Sequence, residues 1–435
     1  MPGRVGNAIA TLRLNTTVRA IIPLYGSAMI SGLGFAMVLP AIPVFVTEFD
    51  ISVGAAAQVI TAFAVGKFVG TPLSGFMIDR FGSRVTMVAG PAVAGAAAVA
   101  AAAMPSFAVV LAAMFVIGAG DVIWALGREI AGIDLVRLEQ RGRLMSGFHG
   151  IHSGGMTMGP LVGGILTERV GYQAIFVVFA ALAVVAVVLG FVAHEAYPSA
   201  AEAATRRRPP LRSILSPARR VEAMVGLFKQ IERPLRATYA VLVFATFSSI
   251  VFRMTLQAML PLYAGSELGF SPAQIGVLFS LSGVVVFTMI LPAGFIIDKV
   301  GRKWATVPST GLPALAFVLL PFSDTFLQLA VLVSVMGAAN GLSLGSLATS
   351  TYDVLPASAR GRLQAARRTI AEVGGVGAPL VGGILANAFN PGVPFIAYAP
   401  ILLAGALLLA FVGRETLVKQ GASGAATPGH SPGPT

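Results

Sequence analysis

The 435-residue chain contains no cysteine, which excludes a disulfide, a thiolate metal site and a thiol nucleophile. Its four histidines, His149, His152, His194 and His430, lack any zinc-type spacing, so neither a metal nor a cofactor is expected. Charge is also scarce. Asp, Glu, Lys and Arg make up 11% of the chain, against roughly 25% in a soluble domain, while hydrophobic residues reach 56%. A chain so composed cannot clothe itself for water. The basic stretch 1–19 carries no cleavage-site pattern, so the first apolar run is expected to be a retained helix rather than a signal peptide.

A spanning helix needs roughly 20 mostly apolar residues. A dozen such runs, divided by short turns carrying Gly, Pro or charge, are read at 20–46, 54–77, 84–104, 107–135, 144–167, 173–193, 237–264, 272–297, 303–321, 325–354, 363–388 and 393–413. The net charge of +12 is not a nucleic-acid signal, because its placement is one-sided. The even-numbered loops hold Arg80, Arg84, Arg137, Arg141, Arg143, Lys299, Arg302, Lys303, Arg360 and Arg362, whereas the opposite loops hold Arg169 beside Glu48, Asp50, Glu168, Glu267 and Asp324. Lys and Arg accumulate on the cytoplasmic side of spanning proteins. Both termini are therefore expected in the cytoplasm, with anionic lipid headgroups against the basic surface.

The chain is a duplication. Gly75-Phe76-Met77-Ile78-Asp79-Arg80-Phe81-Gly82-Ser83-Arg84 returns as Gly294-Phe295-Ile296-Ile297-Asp298-Lys299-Val300-Gly301-Arg302-Lys303, displaced by 219 residues (75 to 294). Arg141-Gly142-Arg143-Leu144 and Pro160-Leu161-Val162-Gly163-Gly164-Ile165-Leu166 recur at the same displacement, from Arg360 and Pro379. Two similar membrane bundles in parallel orientation are a transporter architecture. The expected division is a cytoplasmic N-terminus at 1–19, a six-helix bundle at 20–194, a linker at 195–236, a second bundle at 237–415 and a disordered tail at 416–435. Within the linker, Ser216-Pro217 starts an amphipathic helix with Val221, Met224, Val225, Phe228 and Ile231 on its apolar face, suited to the membrane interface or, alternatively, simply solvated.

The decade with Gly75, Asp79, Arg80, Gly82 and Arg84, and its looser copy with Gly294, Asp298, Gly301 and Arg302, resembles the signature of the major facilitator superfamily. The resemblance implies an all-α membrane protein of twelve helices in two pseudo-symmetric six-helix bundles, alternating access, and a transporter rather than an enzyme. The charge group can latch one bundle to the other, or only anchor its turn. Gly155, Gly159, Pro160, Gly163 and Gly164 are similar to the superfamily's helix-5 motif, which the family associates with exporters; the alternative is generic close packing. In the second half Ala378 replaces Gly159.

Ionisable groups inside a membrane are costly and need a reason. Asp121 sits about 21 Å along helix 4 at about 1.5 Å per residue, with Arg128 two turns further on the same face and Glu129 beside it. Asp121 is the expected proton site, Glu129 the second choice, and Arg128 the charge partner; a static pair fixing helix packing is the alternative. The duplication maps Asp121 to Asn340 and Arg128 to Leu347, so these charges belong to one half only. Where the family's helix-4 signature places an Arg, this chain has Met114, and Arg128 must substitute or coupling must take another route. Arg253 in helix 7 is expected to meet Asp121, Glu129 or an anionic group of the substrate. Arg367 and Arg368 are expected to snorkel. Asn340, Trp124, Phe35, Tyr25 and Phe252 are the remaining candidates for the cavity wall.

The expected function is proton-coupled export of lipophilic or amphipathic small molecules by a monomer in a bacterial inner membrane, with substrate, protons and lipids as its partners. Uptake or exchange of an organic anion, lipid export, and a non-transporting sensor or scaffold are the alternatives.

Overall fold

The computed structural model describes residues 22–136, 141–193, 228, 230–356 and 359–416. The segment 1–19, nearly all of the linker with its amphipathic helix, and the tail after 416 lie outside the described residues.

Every described element is helical. α1, Ile22–Glu48, is broken near its end by a tight turn at Leu39–Ala41, where Pro40 is followed by Pro43. The next 51 residues, Val53–Ala103, run on as helix except at Gly82, whose φ of 86° belongs to the left-handed region. That residue divides α2 (53–81) from α3 (83–103). A side chain there would be strained, which is why the turn carries glycine. The remaining helices are α4 (Phe107–Leu135), α5 (Arg141–Val170), α6 (Gln173–Val192), α7 (Arg233–Leu262), α8 (Pro272–Phe295), α9 (Arg302–Leu319), α10 (Phe326–Val354), α11 (Arg360–Ala388) and α12 (Val393–Phe411). α7 and α8 each continue into a π-helical turn, Tyr263–Glu267 and Ile296–Val300. Gly301 closes the second of these at φ 153°.

Ten of the described stretches are long and apolar enough to cross a membrane. Division of 53–103 at Gly82 adds one, and α5, whose glycines dilute its hydropathy, makes twelve. Helices α5 and α11 begin at Arg141 and Arg360, three residues earlier than their hydropathy implies, because charged first turns are compatible with helix. Three of the starts at the opposite end are capped by the side chain of the N-cap residue: Ser52 for α2, and reciprocal caps by Ser271 with Gln274 and Thr325 with Gln328 for α8 and α10.

Helices α1–α6 form one bundle and α7–α12 the other. In the first, α2 and α4 interlock backbone to backbone: a Cβ on Gly66 would strike the Phe115 carbonyl, and one on Gly118 the Phe63 carbonyl. Two seams join the bundles, α5 against α8 and α2 against α11. In the first seam Gly164 lies on Pro272, Gly276 on Pro160, and the Ser280 hydroxyl donates to the Thr157 carbonyl at 2.7 Å. Glu168 there accepts from the Ala273 N–H at 3.0 Å. In the second, Gly54 meets Gly383 and Asn387, and Gly383 meets Gln58. All these contacts lie toward the end that carries Glu48, Glu168, Glu267 and Asp324. Toward the other end, which carries the basic loops, the seams part: Gly75, Gly150, Gly154 and Gly361 would admit a Cβ with nothing within 4 Å, and Phe68 and Phe76 are exposed.

Gly118→Val is expected to cost about 1–3 kcal/mol, the usual penalty of overpacking, and to lower Tm in detergent. Gly150→Ala, in open space, is expected to stay within about 0.5 kcal/mol. Thermal unfolding of both variants by intrinsic fluorescence checks the pair.

Candidate functional site: a charge cluster within the first bundle

Asp121 projects from α4 into the interior of the first bundle, its side chain 14% exposed. The Ser31 hydroxyl of α1 donates to its Oδ1, and Lys67 Nζ of α2 stands 3.5 Å from its Oδ2. The expected pairing with Arg128 is not formed; Lys67 takes that place. The sequence marks Lys67 as an ionisable group inside the apolar run 54–77 but not as the partner of Asp121, because the α2–α4 contact is tertiary and the two lie 54 residues apart. The ammonium also stands 5.5 Å over the Phe63 ring, which stacks on Phe35 at 4.0 Å. Beside the carboxylate is a cavity of ≈ 10 Å³ lined by Ser31, Phe35, Phe63, Asp121, Trp124 and Phe179, among others. That volume is at the threshold for one water molecule. His152 of α5, its Nδ1 3.3 Å from the Ala28 carbonyl oxygen, and Arg128 are the other charged or titratable groups that act on Asp121.

Arg128 is 4% exposed. Its guanidinium lies 5.9 Å from the ring of Trp124 and 5.9 Å from that of Phe148, and Nε and Nη1 have no hydrogen-bond partner among the described residues. The second bundle answers this arrangement from a different helix. Arg367, 219 residues after Phe148, donates from Nη1 to the carbonyl of Leu347, the counterpart of Arg128, at 3.2 Å. It also donates to Thr246, the counterpart of Ser27, at 3.0 Å. Arg367 therefore turns inward instead of snorkelling. Each bundle carries one guanidinium in this slot, from α4 in the first and from α11 in the second.

Glu129 makes no ion pair among the described residues. Arg253 meets neither Asp121 nor Glu129; the charges that act on it are Glu372 and Arg368 of α11, which stand 3.9 Å apart. Phe252 is 2% exposed and packs on Phe317, so it belongs to the core and not to a cavity wall. Trp124 is likewise core, its Nε1 donating to Ser27, although one face borders the small cavity. Tyr25 packs edge-on against Phe148. The Asn340 Oδ1 is buried without a hydrogen-bond partner among the described residues.

A family model described as Major Facilitator Superfamily matches residues 24–241 and 242–432. The chain belongs to the Major Facilitator Superfamily. Multidrug resistance protein 2 of Bacillus subtilis is 22% identical over 419 residues, covering 92% of this chain and 97% of that protein. The class C tetracycline resistance protein of Escherichia coli is 23% identical over 376 residues, with 83% and 88% covered. Among solved structures, a D-xylose-proton symporter superposes with a TM-score of 0.72 at 15% identity, over 92% of this chain and 98% of that one. The protein is thus an integral membrane protein of a transporter family.

The superfamily's loop signature takes two different forms here. In the second copy Arg302 bridges Asp298 and Asp353, each at 3.1 Å, and Glu415 receives the N–H groups of Arg302 and Lys303 at 2.9 and 3.1 Å. This is a lock within the second bundle. In the first copy Asp79 and Arg80 are exposed, and among the described residues no ion pair joins Asp79 to the second bundle. Arg84 instead donates to the Phe191 carbonyl of α6 at 2.6 Å. The helix-5 glycines serve both an internal contact and a seam: Gly155, Gly159 and Gly163 lie on the α1 backbone from Met29 to Met37, while Gly164 and Pro160 face α8.

A buried guanidinium with two unpaired donors stabilises little, and an apolar replacement of similar length removes the desolvation cost. Arg128→Met is therefore expected to melt at or above the parent Tm in detergent, read by differential scanning fluorimetry. A drop of several degrees would show that the stacking on Trp124 and Phe148 outweighs the unpaired donors.

Proposed function

We propose that this superfamily member exports lipophilic or amphipathic small molecules in exchange for protons, by alternating access between the two bundles. One observation carries the reading: a carboxylate at mid-depth, Asp121, is held by a lysine and a hydroxyl from two neighbouring helices beside room for one water. Such a group binds and releases a proton as its cation approaches or retreats. Protonation removes the carboxylate charge that holds Lys67, so proton and ammonium compete for the same oxygens. The drug-resistance names of the relatives favour export over uptake.

With the basic loops assigned to the cytoplasm, the parted end of the seams faces the cytoplasm and the zipped end the outside. This is the state in which an exporter loads substrate and discharges a proton. On the same assignment both termini lie in the cytoplasm; the reading further takes the membrane to be a bacterial inner membrane, the bundles to divide at 195–236 and the monomer to be the working unit. A second reading, exchange of an organic anion, is favoured by Arg253, which sits within the span of α7 with Arg368 and a single carboxylate acting on it.

Reconstituted vesicles with an imposed pH step separate these readings. Asp121→Asn is expected to abolish pH-driven dye export, a loss of about tenfold or more, while dye binding persists. Unchanged export in this variant would overturn the proton site. Loss of transport confined to Arg253→Gln, with anions but not dyes as substrates, would favour the second reading.

A further inference from the structure

The seam between α2 and α11 carries a register that extends past the point where it parts. These helices run antiparallel, and contacts at the zipped end pair Gly54 with Gly383 and Gln58 with Gly383, so paired residue numbers add to between 437 and 441. The same register carried along α2 brings Lys67 level with residues 370–374 of α11, with Glu372 at their centre. Glu372 lies eleven residues, three turns, before Gly383 and so on the face of α11 that packs onto α2. Both groups reach the parted region: the Lys67 side chain is 41% exposed and that of Glu372 also 41%.

We propose that closure of this seam hands Lys67 from Asp121 to Glu372, making the lysine the coupling residue; the proton half of this rests on the reading of Asp121 as the proton site. In the parted state the ammonium neutralises Asp121, and among the described residues Glu372 is paired with Arg368 at 3.9 Å, on a side chain 77% exposed, within the field of Arg253. As the basic ends close, Glu372 arrives at the depth of Lys67 and competes for it. Asp121 then keeps the Ser31 hydroxyl from α1, His152 from α5 and Arg128 from its own helix, and loses the cation nearest to it. It takes one proton from the side now open, becoming neutral while Lys67 keeps its charge against Glu372. On reopening, Lys67 returns and that proton leaves to the basic side. One proton crosses per cycle, and neither Asp121 nor Lys67 carries its charge without an opposite partner in either state.

The absence of cysteine makes the pair directly testable in the full chain. In proteoliposomes, Lys67→Cys/Glu372→Cys is oxidised with copper phenanthroline and compared with Lys67→Cys/Val373→Cys, at the same depth but turned off the face. The expected disulfide yield is about fivefold above that control, the ratio a modest free-energy preference produces. A yield no higher than the control under both directions of imposed pH gradient overturns the handover. The variant Glu372→Gln provides a second readout: with no carboxylate to receive Lys67 it is expected to lose most pH-driven export, and unchanged export in this variant counts against the pair. Failure of the proton-site reading is distinguishable. A disulfide that forms while Asp121→Asn still exports overturns that reading and with it the proton half of the handover. No disulfide together with inactive Asp121→Asn overturns the handover alone.

Discussion

Helices in hydrocarbon satisfy their backbone groups within themselves, and lipid is as apolar as any leucine, so one helix holds another by close fit rather than by exclusion of water. That constraint governs how this chain is built. Glycines on α2, α4, α5, α8 and α11 bring backbone against backbone, and the two seams between the bundles are made of such contacts with few polar additions. The Thr157–Ser280 and Glu168–Ala273 hydrogen bonds sit at the zipped end of the α5–α8 seam. A seam of smooth backbone can open at one end without tearing interdigitated side chains apart. The same constraint that assembles the bundles therefore leaves them free to rock.

Charge is the complementary constraint. Each ionised group inside the bundles must find a partner, a ring face or water, and the duplication lets the solutions be compared. The slot between the fourth and fifth helices of each bundle holds a guanidinium, yet Arg128 reaches it from α4 and lies on aromatic rings, whereas Arg367 reaches it from α11 and donates to Thr246 and Leu347. The mismatch of Arg128 with Leu347 is thus a change of supplier and not an extra charge. Asp121 has no such answer: its counterpart is Asn340. Asp121 and its partner Lys67, whose counterpart is Val286, are charges of the first bundle that no such exchange of supplier explains, and Glu129, opposite Ala348, is a third.

Twelve helices, their order, their duplication and the superfamily were legible because apolar length and a repeated charged turn are local properties. Gly82 and Gly301 were readable as turn residues for the same reason. The partners of the buried charges were not. Asp121 and Arg128 share a helix face two turns apart, so a linear reading joins them, while Lys67 reaches Asp121 through the α2–α4 interlock that only the fold creates. Arg253 likewise found Glu372 and Arg368 within its own bundle, since α7 packs on α11. Aromatics were the least legible, because Phe252 and Trp124 look alike in sequence whether they line a cavity or fill a core.

The strength of the Lys67–Asp121 contact bears on whether it can cycle. An exposed pair contributes about 0–1 kcal/mol, too little to tie a proton to a conformational change, whereas breaking a fully buried pair costs about 3–5 kcal/mol, too much to repeat in every turnover without a replacement partner. This pair has one member 14% exposed and the other 41%, at 3.5 Å. Its carboxylate is shielded enough for the cation to matter, and its ammonium is close enough to the open mouth to leave. A Lys suits that role better than an Arg, because its charge is a compact point on a flexible stem and gives up no bidentate geometry when it moves. The placement of the lysine toward the rim and the acid inside is the arrangement that the proposed handover requires.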